Sequence, residues 1–203
     1  MEPDTDIGRP AIHRLRRQFA GLTAHTVDGA AILAEFLDPP ADPRSIRSRL
    51  AAASRAGAKD ARALRANTAS EDMDLPRRAD LYRLAYLLEF TVEHMEVTGD
   101  FAAGHDIIAL PDELLIAVEA IQDCTRAAHR FVGTTLGDRR ARDRIAVSAP
   151  AEFAASTSTG PFHSTAGRSG FDLTIEEVGE GIGHIARCLG QVAKLLPVVD
   201  TLA

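Results

Sequence analysis

From Asp172 onward the chain repeats a single spacing. Ile175, Val178, Ile182, Ile185, Leu189, Val192, Leu196 and Val199 follow one another at alternating intervals of three and four residues. An α-helix gathers such positions into one stripe, whereas a strand would send them to both of its faces. A stripe of heptad spacing has to be covered by other helices, which restricts the chain to bundle-like packing. Pro197 is expected to kink or end this helix early.

Four earlier segments carry the same kind of signal. Between about Ala11 and Leu37 the apolar series is Ile12, Leu15, Phe19, Leu22, Thr26, Ala30, Leu33 and Leu37, and Asp38, Pro39 and Pro40 stop it. A second helix is expected after Asp42, with Ile46, Leu50, Ala53, Gly57 and Leu64 on one side. A third spans about Arg77 to Val97 through Leu81, Leu84, Leu88, Val92 and Met95, with Gly99 closing it. The fourth begins near Pro111 and runs through Leu114, Val118, Ile121, Cys124, Ala128, Phe131 and Thr135 to Gly137. From about Val147 to Phe171, Ser, Thr, Ala, Gly and Pro dominate without a period, and a long loop is expected. The expected fold is therefore all-α, an antiparallel helical bundle without a sheet. Residues 1–10 form a tail and residues 11–203 a single domain.

Aromatic residues make up 5% of the chain and Trp is absent, so Leu, Ala, Ile and Val must fill the core. A formal net charge of -6 argues against a general nucleic-acid binder, whose affinity comes from clustered Lys and Arg. Cys124 and Cys188 both fall in apolar periodic segments and read as reduced, buried thiols, which suits a reducing compartment. Glu2, Asp4 and Asp6 precede Arg9, unlike the basic start of a secretory signal. No run approaches the ~18 apolar residues of a membrane span. A cytoplasmic location is expected.

Two acidic pairs have i, i+4 spacing off the apolar seam, Glu89 with Glu93 and Glu176 with Glu180. With Leu88 and Ile175 at heptad position a, Glu89 and Glu176 fall at b and Glu93 and Glu180 at f. Paired carboxylates on bundle helices can hold hard or borderline cations, yet b and f are also where Glu ordinarily faces solvent. His184 stands four after Glu180, not the three of a di-iron Glu-x-x-His, and His94 points about 100° away from Glu93. Gly179, Gly181 and Gly183 lack a preceding strand and read as positions where a neighbouring helix comes close. Arg14, Arg16 and Arg17 beside Ile12, Leu15 and Phe19 make a basic amphipathic start that suits a partner or an anionic surface, or simply a solvated face. No nucleophile motif surrounds any Ser, His or Asp, so catalysis is not expected.

The stretches Ala53-Ser54-Arg55-Ala56-Gly57, Asp80-Leu81-Tyr82-Arg83-Leu84-Ala85 and Leu88-Glu89-Phe90-Thr91-Val92-Glu93 resemble the PhoU-like family of proteins that accompany Pit-type inorganic phosphate transporters. The resemblance runs from about Ile12 to Phe131 and from about Asp172 to Leu196. It implies a pair of three-helix bundles and metal clusters held on the surface by repeated Glu/Asp-x-x-x-Asp motifs. Glu89 with Glu93, and Glu176 with Glu180, match two of those motifs. The second helix instead carries Ser54 and Ala58, and Ala149 to Gly170 shows no acidic motif where the fifth helix is expected. The resemblance thus implies no cofactor, or at most a weakly bound divalent or iron ion. It also implies a non-enzymatic accessory protein, peripheral to the inner face of the membrane through a Pit-like transporter and able to form a homodimer. A metal-binding helical protein and a dimerisation module unrelated to phosphate are the alternatives.

Overall fold

The computed structural model describes residues 9–38, 40–71, 73–134 and 170–200. Among them are five long helices and no strand. The first, α1 (Arg9–Leu33), buries Leu15, Phe19, Leu22, Ala30 and Leu33. A 3₁₀ turn over Ala34–Leu37 tucks in Phe36, and the Asp38 N–H closes it on the Glu35 carbonyl at 3.3 Å.

Local chemistry sets the next starts. Asp42 accepts from the N–H groups of Arg44 and Ser45 at 3.1 and 3.2 Å, and Pro43 opens α2 (Pro43–Ser70). Asp74 accepts from the Arg77 N–H at 2.7 Å ahead of α3 (Leu75–Gly104), with Pro76 in the first turn. The Pro111 carbonyl takes the N–H groups of Leu114 and Leu115 at 2.9 and 3.0 Å where α4 (Asp112–Thr134) begins. The helix expected near Asp172 opens two residues sooner as α5 (Gly170–Leu195), and Pro197 ends it and starts a final turn, α6 (Pro197–Asp200). The rest of the aperiodic stretch, Thr135 and Gly137 lie outside the described residues.

Gly99 does not close the third helix, which continues to Gly104. It is buried in mid-helix, and a Cβ on it would fall inside van der Waals contact of Leu50 Cδ1 and 3.6 Å from Ile46 Cγ2. The missing side chain lets α2 lie close against α3, a packing role with the same sequence appearance as a C-terminal stop. One residue earlier Thr98 meets α5, where a Cβ on Gly181 would overlap its hydroxyl. Gly181 is thus a close approach between helices, as the spacing suggested. Gly183 has only Arg187 of its own helix near it.

The buried apolar side chains form two clusters, and each draws on all five long helices. One holds Leu15, Phe19, Leu64, Leu81, Leu88, Phe131 and Val192; the other holds Leu33, Ile46, Met95, Leu114, Val118, Ile182 and Ile185. Their membership fixes directions: α1 and α3 run from the first cluster to the second, and α2, α4 and α5 run back. Short connections make α1, α2, α3 and α4 successively antiparallel, as expected for a bundle. The finer division into two three-helix bundles depends on residues 135–169, which lie outside the described residues.

Between the clusters sit buried Thr23, Thr26, Thr91 and Thr125. Each hydroxyl donates to a carbonyl of its own helix, at 3.1 Å to Phe19, 2.7 Å to Thr23, 2.7 Å to Leu87 and 2.9 Å to Gln122 respectively. These local bonds remove the desolvation cost of a bare hydroxyl, about 1–3 kcal/mol each. Thr23 also meets His129 Nδ1 at 3.0 Å, tying α1 to α4 across this layer.

Contrary to the expectation that no segment approaches a membrane span, Thr174–Val199 is long and apolar enough to cross a membrane by length and composition, with a mean hydropathy of 1.2 in its most apolar window. Its apolar stripe of Val178, Ile182, Ile185, Leu189 and Val192 is buried within the bundle.

Candidate functional site

The two acidic pairs meet different surroundings. Glu89 is not the solvent-facing residue its heptad position implied: α2 crosses this side of α3 and brings Arg65 into an ion pair with it, the two side chains 26% and 21% exposed. Glu93, one turn on, is exposed. On α5 Glu176 is half-buried and Glu180 exposed. Ser54 and Ala58 occupy half-buried positions on α2. Among the described residues no group of three or more His, Cys, Asp and Glu side chains is arranged to hold a metal ion, so the structure does not bring Glu89, Glu93, Glu176 and Glu180 together as ligands.

What α3 and α5 do bring together are two histidines that no spacing in the sequence pairs. The rings of His94 and His184 lie 5.3 Å apart at 38°. Phe90 meets His94 edge-on at 4.1 Å, and Tyr86 stacks on Phe90 at 5.6 Å. The spacing by fours of Tyr86, Phe90 and His94 was a visible signal for a row on one helix face. Its continuation onto α5 was not. Burial lowers the pKa of His94, and the charges of His184 and Arg187 act in the same direction while Glu93 opposes them. His94 Nε2 is buried without a hydrogen-bond partner, which also favours the neutral ring.

The basic start of α1 separates into three roles. Arg14 Nη2 donates to Glu71 Oε1 at 2.9 Å, bridging α1 to the end of α2. Arg16 is 6% exposed and turned into the bundle, so it is not part of an exposed docking face. The reason is that packing elements flank α1 on more than one side, and the buried arc extends past the Leu15–Phe19 stripe to the next position. Arg17 faces solvent and forms no hydrogen bond or ion pair among the described residues.

Arg14 and Arg17 line an open groove of about 390 Å³ between α1 and α2. Its remaining lining is Gln18 and Gly21 from α1 with Asp60 and Ala63 from α2, all at helical spacing on facing sides. Asp60 Oδ2 is 2.9 Å from His25 Nε2. A Cβ on Gly21 would stand 3.7 Å from this Oδ2, an ordinary contact. Gln18 Oε1 is buried and has no hydrogen-bond partner. The groove therefore sets the guanidinium groups of α1 against the Asp60 carboxylate of α2, with the Gln18 Oε1 shut off from solvent. The periodicity of α1 had marked Arg14 and Arg17, but Gln18 and Asp60 belong to no motif and become notable only where the two helices meet.

No protein-family model matches the chain, and no curated protein matches it.

Proposed function

We propose that this chain is an accessory protein of inorganic phosphate transport that acts by contact, docking the basic outer side of α1 on the cytoplasmic face of a Pit-like transporter. The observation that supports contact is the solvent-facing Arg17, with the half-exposed Arg14 one turn away. The phosphate link rests on the PhoU-like resemblance of the stretches around Ser54, Leu81 and Glu89. Catalysis and a bound metal have no part in this reading. Attraction between such exposed charges and an acidic partner is screened over about 8 Å at physiological ionic strength, so association should weaken as salt rises.

The test is co-purification of the transporter with the wild-type chain and with an Arg14→Ala, Arg17→Ala variant, together with phosphate uptake in a strain lacking the gene. Arg16 is left unchanged, because its substitution would disturb the bundle instead of the surface. The expected result is reduced co-purification and a flatter salt dependence in the variant, with altered uptake in the deletion strain. Failure to co-purify, with unchanged uptake, removes the proposal.

A further inference from the structure

The third helix is apolar on more sides than the bundle uses. α4 and α5 gather their apolar residues on one side, whereas α3 spreads them around its circumference, the pattern of a helix that is covered on every side. α2 covers one flank of α3, through the Arg65–Glu89 pair and Leu50 at Gly99, and α5 covers the opposite flank, through His184 at His94 and Gly181 at Thr98. Between these flanks a second stripe runs through Ala79, Arg83, Tyr86, Phe90, Glu93 and Val97, which at 100° per residue fall within an arc of about 80°. Tyr86 and Val97 are 54% and 57% exposed, and Tyr86 is stacked on Phe90. Arg83 and Glu93 are exposed and have no ion-pair partner among the described residues.

This stripe is its own complement. Its intervals are four, three, four, three and four residues, the same in either direction about Leu88. On an identical stripe laid antiparallel about a two-fold axis at that level, Tyr86 meets Phe90 of the second copy, Ala79 meets Val97, and Arg83 meets Glu93 about 7.5 Å along the helix from the axis. A parallel pairing would set Arg83 on Arg83 and Glu93 on Glu93. Apolar area alone would accept any amphipathic helix, but two unpaired opposite charges at equal distances from one point select a second copy. We infer that two copies of this chain associate through the outer stripe of α3, antiparallel about a two-fold axis at Leu88. The inference does not depend on the transport reading, whose docking residues Arg14 and Arg17 lie on α1.

The experiment is sedimentation equilibrium of the full-length chain at low salt from about 1 to about 200 μM, since a contact of about 27 Å along one helix pair is small and should dissociate in the micromolar range. The mass should rise from 21.7 kDa toward twice that value. Arg83→Glu and Glu93→Arg each set like charges against one another at both symmetry-related pairs, and each should raise the dissociation constant about tenfold or more. Tyr86→Ala should weaken association as well. An equimolar mixture of the two single-reversal variants restores both pairs in the mixed dimer and should associate about as tightly as the wild type, as should the chain carrying both reversals. The substituted side chains are exposed, and unchanged circular dichroism confirms folding. A chain that stays monomeric at about 200 μM overturns the inference and leaves the stripe to residues 135–169 or to another protein. Association that ignores the reversals, or a mixture no tighter than its components, overturns it equally.

Discussion

Replacing Gly99 with Ala tests the close approach of α2 and α3 against a control within the same protein. An exposed helical Gly→Ala change stabilises by roughly 1 kcal/mol, because Ala loses less backbone freedom on folding. Gly133, on α4 with no neighbouring atom within 4 Å of its would-be Cβ, should show that gain alone. At Gly99 the same gain is opposed by Leu50 Cδ1, the end of a fully buried side chain with little room to move. Forcing a methyl into a packed core costs about 1–3 kcal/mol. The propensity gain is common to both variants, so their difference isolates the packing cost, and Gly99→Ala should be less stable than Gly133→Ala by about 1–3 kcal/mol. For a chain of this size that separates the melting temperatures by roughly 2–12 °C, at about 2–4 °C per kcal/mol. Urea unfolding of the two variants and the wild type measures it. A second arm adds Leu50→Val, which should cost less in the Gly99→Ala background than in the wild type, by about 1 kcal/mol of coupling. Equal stabilities for the two alanine variants, with additive behaviour of the double variant, would refute the reasoning.

Acid should weaken the fold through His94. Its folded pKa lies below the ordinary 6.5, so the unfolded chain binds more protons in the window between the two values; stability is full above 6.5 and falls as pH drops through that window. His94→Phe removes the titrating ring and the buried Nε2, and the acid-side loss seen in urea midpoints between pH 8 and pH 5 should shrink in that variant; an unchanged pH profile would exclude His94 as its source. Glu89→Ala should cost about 1 kcal/mol or more by leaving the half-buried Arg65 without its partner, whereas exposed Glu93→Ala should stay within about 0.5 kcal/mol. Equal costs in urea unfolding would mean that the Arg65 pair contributes nothing.

The periodic seams carried most of the architecture. Where apolar residues recur at threes and fours, as in Leu15, Phe19, Leu22 or Val178, Ile182, Ile185, the helix and its buried side follow from geometry alone. Asp42 and Asp74 marked helix starts because a carboxylate before a proline-bearing first turn finds free N–H groups there. Gly99 misled for a physical reason: absence of a Cβ serves a stop and a close helix contact equally, and only the neighbour decides between them. Arg16 and Glu89 failed similarly, since a heptad wheel assumes one buried side and these helices are flanked on more. The pair His94 with His184, and the groove that Gln18 shares with Asp60, bring together residues far apart in sequence, on helices whose rotation about their own axes the spacing does not specify. What the sequence marked of the groove was Arg14 and Arg17.

At Thr98 and Gly99 the third helix is gripped from both sides, by Leu50 of α2 and by Gly181 of α5. Two neighbours seated so near its axis at almost the same height act as a pin through the bundle. Sliding α3 along its axis would drive Thr98 and Gly99 out of register with both partners at once, while a small pivot about that point leaves both contacts in place. A rearrangement that keeps both contacts would therefore be of the scissoring kind, with displacement growing with distance from this point. The Arg14–Glu71 end of the groove, at the start of α1 and the end of α2, lies far along such an arm from the pin. A pivot would move that end most and the contacts at Thr98 and Gly99 least.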